Sequence, residues 1–348
     1  MSISLGRSRA RAVRRAVAVC LALAVVVTLV AGYTLASGDY PLSPQEVLGI
    51  LGGAGRRAQR YIVTQVRLPR VLVAVLVGAA MGTAGALFQS LSRNPLGSPD
   101  VIGFTAGSAT GALVAVLVVG GGPATVAGGA VAGGALTAAA VYLLTWNGGV
   151  RGYRLVLVGI GVSALLTAFN AYLLAKASFG DAQSAAVWLT GSLNARGWEH
   201  VWPLLAALAV LLPAALALAR PLRALELGEE VATGLGVPLE RVRAGVMLVG
   251  VALTAAATAA AGPIAFVALA APQVARRLTR ASGPGILASA LTGAAMLTGA
   301  DLAAQRLLAP TQLPVGVLTG VMGGCYLVWL LAHEWRAGRT GTGRGVGG

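Results

Sequence analysis

The chain has 348 residues, 57% of them hydrophobic and only 11% charged, with a formal net charge of +15. A soluble globular domain carries about a quarter charged residues, so the composition excludes one and describes a polytopic membrane protein. The positive charge does not make a nucleic-acid binder either, because the arginines flank apolar stretches and few aromatic side chains stand among them for base stacking.

A basic cytoplasmic N-terminus, 1–15, carries Arg7, Arg9, Arg11, Arg14 and Arg15 and opens into an apolar run. That run is longer than the apolar core of a cleaved signal peptide, so it reads as a retained helix. A membrane-spanning helix needs about 20 apolar residues. Spans are expected at 16–35, 71–91, 101–119, 124–144, 155–175, 201–219, 244–261, 264–275, 286–308 and 315–332. The stretch 264–275 is short and follows its predecessor across Gly262-Pro263 alone, so one kinked helix, and nine spans, is the alternative. Loop charge arbitrates, since cytoplasmic loops collect arginine and lysine. Ten spans with a cytoplasmic N-terminus place 18 of the 26 basic residues inside and both termini in the cytoplasm. Nine would expose the cluster Arg276, Arg277 and Arg280 or the C-terminal arginines.

Two segments do not span. Residues 185–195 suit a partial helix at the outer surface. The polar stretch 220–240, with Glu226, Glu229, Glu230, Gly234 and Gly236, suits two short cytoplasmic helices joined by a glycine turn. A transmembrane domain over 16–335 is thus followed by a tail, 336–348, whose Gly/Arg/Thr-rich sequence from Gly338 is expected to be disordered.

Polar residues inside spans are the candidates for a pathway. Ser163, Thr167 and Asn170 fall at i, i+4 and i+7, on one helical face. Asn170 weighs most, since an amide facing lipid leaves donors and acceptors unpaired; packing between helices is the competing role. Gly78 and Gly82, and Gly103, Gly107 and Gly111, repeat every four residues and suit close helix contacts. Asp301 is the one acid well inside a span, a functional suspect whose place near the outer rim also suits a structural role. Cys20, Cys325, His200 and His333 are scattered, without the spacing of a metal site. Lys176, the only lysine, stands in Ala-Lys-Ala. A phosphate-binding loop ends in Gly-Lys-Ser/Thr, so ATP-driven work requires a partner. No catalytic residue, metal or cofactor is expected.

Four motifs occur in order: Arg67-Leu-Pro-Arg70 with Arg93-Asn-Pro-Leu-Gly97; Leu227-Gly-Glu-Glu-Val-Ala-Thr-Gly-Leu-Gly236; Gly262-Pro-Ile-Ala-Phe-Val-Ala-Leu269; and Leu313-Pro-Val-Gly316. From Tyr61 to Trp335 the chain resembles the FecCD/BtuC-type permeases, membrane subunits of ABC importers for ferric siderophores, haem and cobalamin. The resemblance implies an all-α, ten-helix type II ABC importer permease in the cytoplasmic membrane. Two permease subunits, as a homodimer or heterodimer among membrane lipids, would enclose one pathway. Two ATP-binding subunits would sit below and an extracytoplasmic substrate-binding protein above.

The resemblance also implies roles. Arg67 and Arg70 would pair with carboxylates of the binding protein. The family often adds an arginine four positions after the Ala-Asp of the ninth span; here Gln305 stands there and the arginine is Arg306, turned by about 100° on a helix. Leu227, Gly228, Glu229, Glu230, Gly234 and Gly236 match the coupling segment that seats in the ATPase. Siderophore is the expected cargo, with haem or cobalamin the alternatives. An ion-coupled secondary transporter would need ionisable groups near the midplane, which this sequence hardly offers.

Overall fold

The computed structural model describes residues 2–38, 40–146, 152–280, 283–308 and 311–341, and every regular element among them is helical. Helix α1 covers Ser2–Ala36, α2 Pro44–Leu51 and α3 Arg57–Tyr61; a π-helical stretch, Ile62–Arg67, leads into α4, Leu68–Ser92. There follow α5 (Phe104–Leu117), α6 (Pro123–Thr145), α7 (Gly152–Lys176), α8 (Phe179–Leu189) and α9 (Trp198–Glu226). The last five are α10 (Glu229–Gly234), α11 (Leu239–Ala261), α12 (Val267–Thr279), α13 (Ile286–Arg306) and α14 (Val315–Gly341).

All ten expected spans fall on helices. Among the described residues seven stretches are long and apolar enough to cross a membrane: α1, the run from α3 through α4, α6, α7, α9, α11 and α13. The apolar parts of α5 and α14 are shorter, and α12 has 13 residues. The kinked-helix alternative for 244–275 fails. Gly262 takes φ 76°, a value that favours glycine, and Phe266 takes φ 69°, so the backbone turns twice between α11 and α12.

Three boundaries differ from expectation. Helix α9 does not stop at Ala219 but runs through Pro221 to Glu226, because Leu222 and Leu225 are buried in the main core. The polar stretch therefore holds one separate short helix, α10, rather than two. The partial helix expected at 185–195 is α8, which starts six residues earlier, where the Ser178 hydroxyl accepts the Asp181 N–H as an N-cap. The last helix continues to Gly341, past the expected start of a tail at 336 and of disorder at Gly338. Residues 342–348, with Arg344, and Arg151 lie outside the described residues. So do the side chains of Arg7, Arg9, Arg336, Arg339 and His333, so the charge count is not tested at these positions.

Helix α4 is the centre of the bundle. It is buried on nearly every face and packs against α9, α11, α12 and α13. With 25 residues at 1.5 Å each it is about 37 Å long, so Arg70 and Arg93 mark opposite ends of the molecule. Small residues let its backbone meet that of α13: a Cβ on Gly78 would overlap the Gly293 carbonyl, and one on Gly82 the Ser289 carbonyl. Gly107 and Gly111 of α5 meet Gly133 and Gly129 of α6 in the same way. Such contacts supply dispersion where lipid removes the hydrophobic drive between helices. Gly82→Val should therefore push α4 off α13 and lower stability by about 1–3 kcal/mol or more. Thermal unfolding of the detergent-purified protein reads this, and an unchanged midpoint would refute the close contact.

Candidate functional site

At one end of the bundle the two motif arginines are engaged inside the chain. Arg67 donates from Nη1 to the Leu35 carbonyl and from Nη2 to the Tyr40 carbonyl, both at 2.7 Å, closing the exit of α1. Arg70 pairs with Asp301 on α13, Nη2 to Oδ1 at 2.9 Å and Nε to Oδ2 at 3.1 Å. Its Nη1 donates to Gln312 Oε1 at 2.8 Å. The Gln305 amide donates to Asp301 Oδ2 at 2.7 Å. The side chains of Arg70 and Asp301 are 13% and 3% exposed. Both arginines are thus engaged by groups of this chain. Gln305 turns inward to the carboxylate, and Arg306, one residue on, is exposed. Arg56, Arg57 and Arg60 are exposed as well. The sequence could not reveal that Asp301 answers Arg70, 231 residues away.

The opposite end carries the segment 227–236. Gly228, at φ 121°, separates α9 from α10. The Gly236 N–H returns to Thr233 O and the Val237 N–H to Ala232 O, which ends α10 in a Schellman turn. Glu229 faces inward: Arg243 Nη2 lies 2.6 Å from its Oε1 and Arg93 Nη2 3.7 Å. Arg243 is buried and also holds Glu240 at 2.5 Å. Glu226 accepts the Ser90 hydroxyl at 2.7 Å, and Arg276 stands 3.7 Å away. The Glu229 pairs fix α10 against α11 and the end of α4, and the Glu226 pairs hold the end of α9 to α4 and α12. Outward face Glu230, Gly234 and three large apolar side chains, Leu227, Val231 and Leu235. Leu227 precedes the Gly228 break and Leu235 caps α10, so no single helical face in the sequence announced the three.

Between the ends, α7 borders two hollows. One, of about 530 Å³, is lined by Asp100, Thr105, Thr167, Asn170, Thr190 and Pro263 among others. The other, of about 630 Å³, includes Ser163 and shares Thr167 and Ala171 with the first. The three pathway candidates thus border adjoining space. Asn170 is 8% exposed and its Oδ1 has no hydrogen-bond partner, while the Thr167 hydroxyl donates to Ser163 O at 2.8 Å. Asp100, which the sequence did not single out, lies in the connection between α4 and α5. It accepts the Thr105 hydroxyl at 2.6 Å and the Phe266 N–H at 3.3 Å. A further groove of about 650 Å³, between α5 and α6, is walled by Gly107, Gly111, Gly129 and Gly133 and includes no charged residue.

An all-helical bundle whose apolar spans are joined by an anchored short helix at one end, with hollows bordered by a few polar side chains, is the build of a transport permease. The chain belongs to the FecCD transport family, whose model matches residues 4–333. It is 47% identical over 323 residues to the ferric enterobactin transport system permease protein FepG of Escherichia coli (strain K12), covering 93% of this chain and 98% of that one. It is 37% identical to the iron(3+)-hydroxamate import system permease protein FhuG of Bacillus subtilis (strain 168), over 88% and 94% of the two chains. Among solved structures it resembles one described as an inward-facing conformation of a metal-chelate type ABC transporter. The TM-score is 0.78 at 29% identity, covering 91% of this chain and 99% of that one.

Proposed function

We propose that this chain is a permease subunit of an ATP-driven importer of ferric siderophores in the cytoplasmic membrane. The observation that carries the reading is its likeness to FepG over nearly the full length of both chains. A second permease subunit completes the pathway, with α7 and the hollows it borders along it. The Glu229 end faces the cytoplasm, as do both termini. There Leu227, Val231 and Leu235, flanked by Glu230, form the apolar knob that seats in one ATP-binding subunit, and the second permease subunit engages the other. Rigid-body movement of those subunits passes through α10 to the bundle, since Glu229 and Arg243 lock α10 onto α11.

The Arg70 end faces outward and receives an extracytoplasmic binding protein. Arg56, Arg57, Arg60 and Arg306 supply the exposed positive charge for docking, and the Arg70–Asp301 pair holds the surface that carries it. Charges of this kind steer association and fade with salt. Arg56, Arg57 and Arg60 reversed together to glutamate should weaken docking by about tenfold or more at low salt and little at high salt. Equal binding-protein affinity at low salt would refute the assignment.

Cargo is tested by uptake of radiolabelled iron as ferric enterobactin, a ferric hydroxamate and haem, and of labelled cobalamin, in a strain lacking this chain and in the complemented strain. Restored uptake of a ferric siderophore is expected. Restoration of haem or cobalamin uptake alone would overturn the siderophore reading.

A further inference from the structure

Resting on the transport reading, we propose that Asp100 and Asn170 form an acceptor site on the pathway wall that selects for the hydrogen-bond-donating or cationic face of the passing chelate.

Three observations support it. Asp100 and Asn170 line one hollow of about 530 Å³. The Asn170 amide oxygen is buried without a partner, a state that costs free energy unless something donates to it. Each Asp100 oxygen has one donor within the chain, the Thr105 hydroxyl or the Phe266 N–H, and a carboxylate offers about four acceptor positions. The wall therefore presents spare acceptors on Asp100, with the unpaired Asn170 oxygen enclosed in the same wall, and no lysine, arginine or histidine is among the residues lining this hollow. Ligand groups that satisfy such a wall are hydroxyl, amide N–H and ammonium. An anionic iron centre would travel on the side away from it.

The placement of Asp100 makes it a fixed feature rather than a mobile side chain. Its two hydrogen bonds reach the first turn of α5 and the residue that precedes α12. Negative charge there lies at the positive ends of two helix dipoles, which stabilise it without a cationic side chain beside it. Asparagine in its place keeps an acceptor for the Phe266 N–H and removes the charge, so Asp100→Asn isolates the electrostatic part of the site.

The experiment reads the local potential independently of any substrate. In the full transporter, with Cys20 and Cys325 replaced, Thr167→Cys and Asn170→Cys are each labelled with a cationic and an anionic thiol reagent of equal size. Across a hollow of this size one unit charge alters the local concentration of a monovalent reagent by roughly tenfold. The cationic reagent should therefore react at least ten times faster than the anionic one at both positions. Asp100→Asn should bring the ratio near one. A ratio indifferent to Asp100→Asn, or no labelling at either position in any nucleotide state, would overturn the site. Asp100→Ser serves as the second variant should the first fold poorly.

Uptake separates this from the transport reading. If the complemented strain imports no iron chelate, the cargo assignment fails while the reagent ratio still decides the site. Where chelates are imported, Asp100→Asn should lower uptake of an ammonium-bearing chelate relative to its N-acetylated form by about fivefold or more. An unchanged ratio between the two forms would refute selection by this wall.

Discussion

Arg70→Ala and Asp301→Ala should each unfold or severely weaken the protein, because each leaves an uncompensated charge in the bundle. Breaking a buried ion pair from one side costs about 3–5 kcal/mol, and these side chains are only 13% and 3% exposed. The pair ties α4 to α13 across 231 residues of sequence, with Gln305 and Gln312 completing its hydrogen bonds. The double variant should cost less than the sum of the two singles, the signature of direct coupling. Thermal unfolding of purified single and double variants measures all three. Arginine at position 70 acting only in docking would give a different pattern: stable protein, normal melting and weak binding of the binding protein.

The second large effect is expected at α10. Leu227→Asp with Val231→Asp and Leu235→Asp should abolish transport and substrate-stimulated ATP hydrolysis while the bundle stays folded. The three side chains are exposed in the isolated chain, so their loss costs the fold little. Burying each in a partner is worth about 1.5–3 kcal/mol, and a charge left in such a contact adds its own desolvation cost. Glu229→Arg should act differently, by setting a cation against Arg243 and Arg93 and loosening α10 from its anchor. Glu230→Arg, at an exposed position without that anchor, should be mild. Normal ATPase stimulation in the triple aspartate variant would remove α10 from the coupling route.

Much of the fold was readable because the membrane imposes simple rules. Twenty apolar residues make a span, and glycines four apart make a contact; Gly78 and Gly82 meet the α13 backbone as their spacing suggested. What failed were judgements that depended on neighbours. Arg220–Glu226 read as part of a separate short helix because of its polarity, yet Leu222 and Leu225 keep it continuous with α9 by filling the core. The start of α8 was missed where a single cap, Ser178 to Asp181, decides it.

At the sites, residue type was legible and pairing was not. Arg67 and Arg70 stood out through the motif they share, but their partners, the Leu35 and Tyr40 carbonyls and Asp301, are distant in sequence. Glu229 and Glu230 looked equivalent until the fold gave only the first to Arg243. Asp100 reads as one acid in a turn; only the approach of the α12 start places it on a cavity wall beside Asn170.

ATP-driven import is tested most directly by co-reconstituting this chain with its ATP-binding subunits and any second permease in proteoliposomes and following radiolabelled ferric siderophore. With the binding protein outside, uptake should require ATP on the side that carries Glu229 and should stop when a nonhydrolysable nucleotide replaces it. Uptake that proceeds without nucleotide, driven by a proton or sodium gradient, would contradict the assignment and make the chain an ion-coupled transporter.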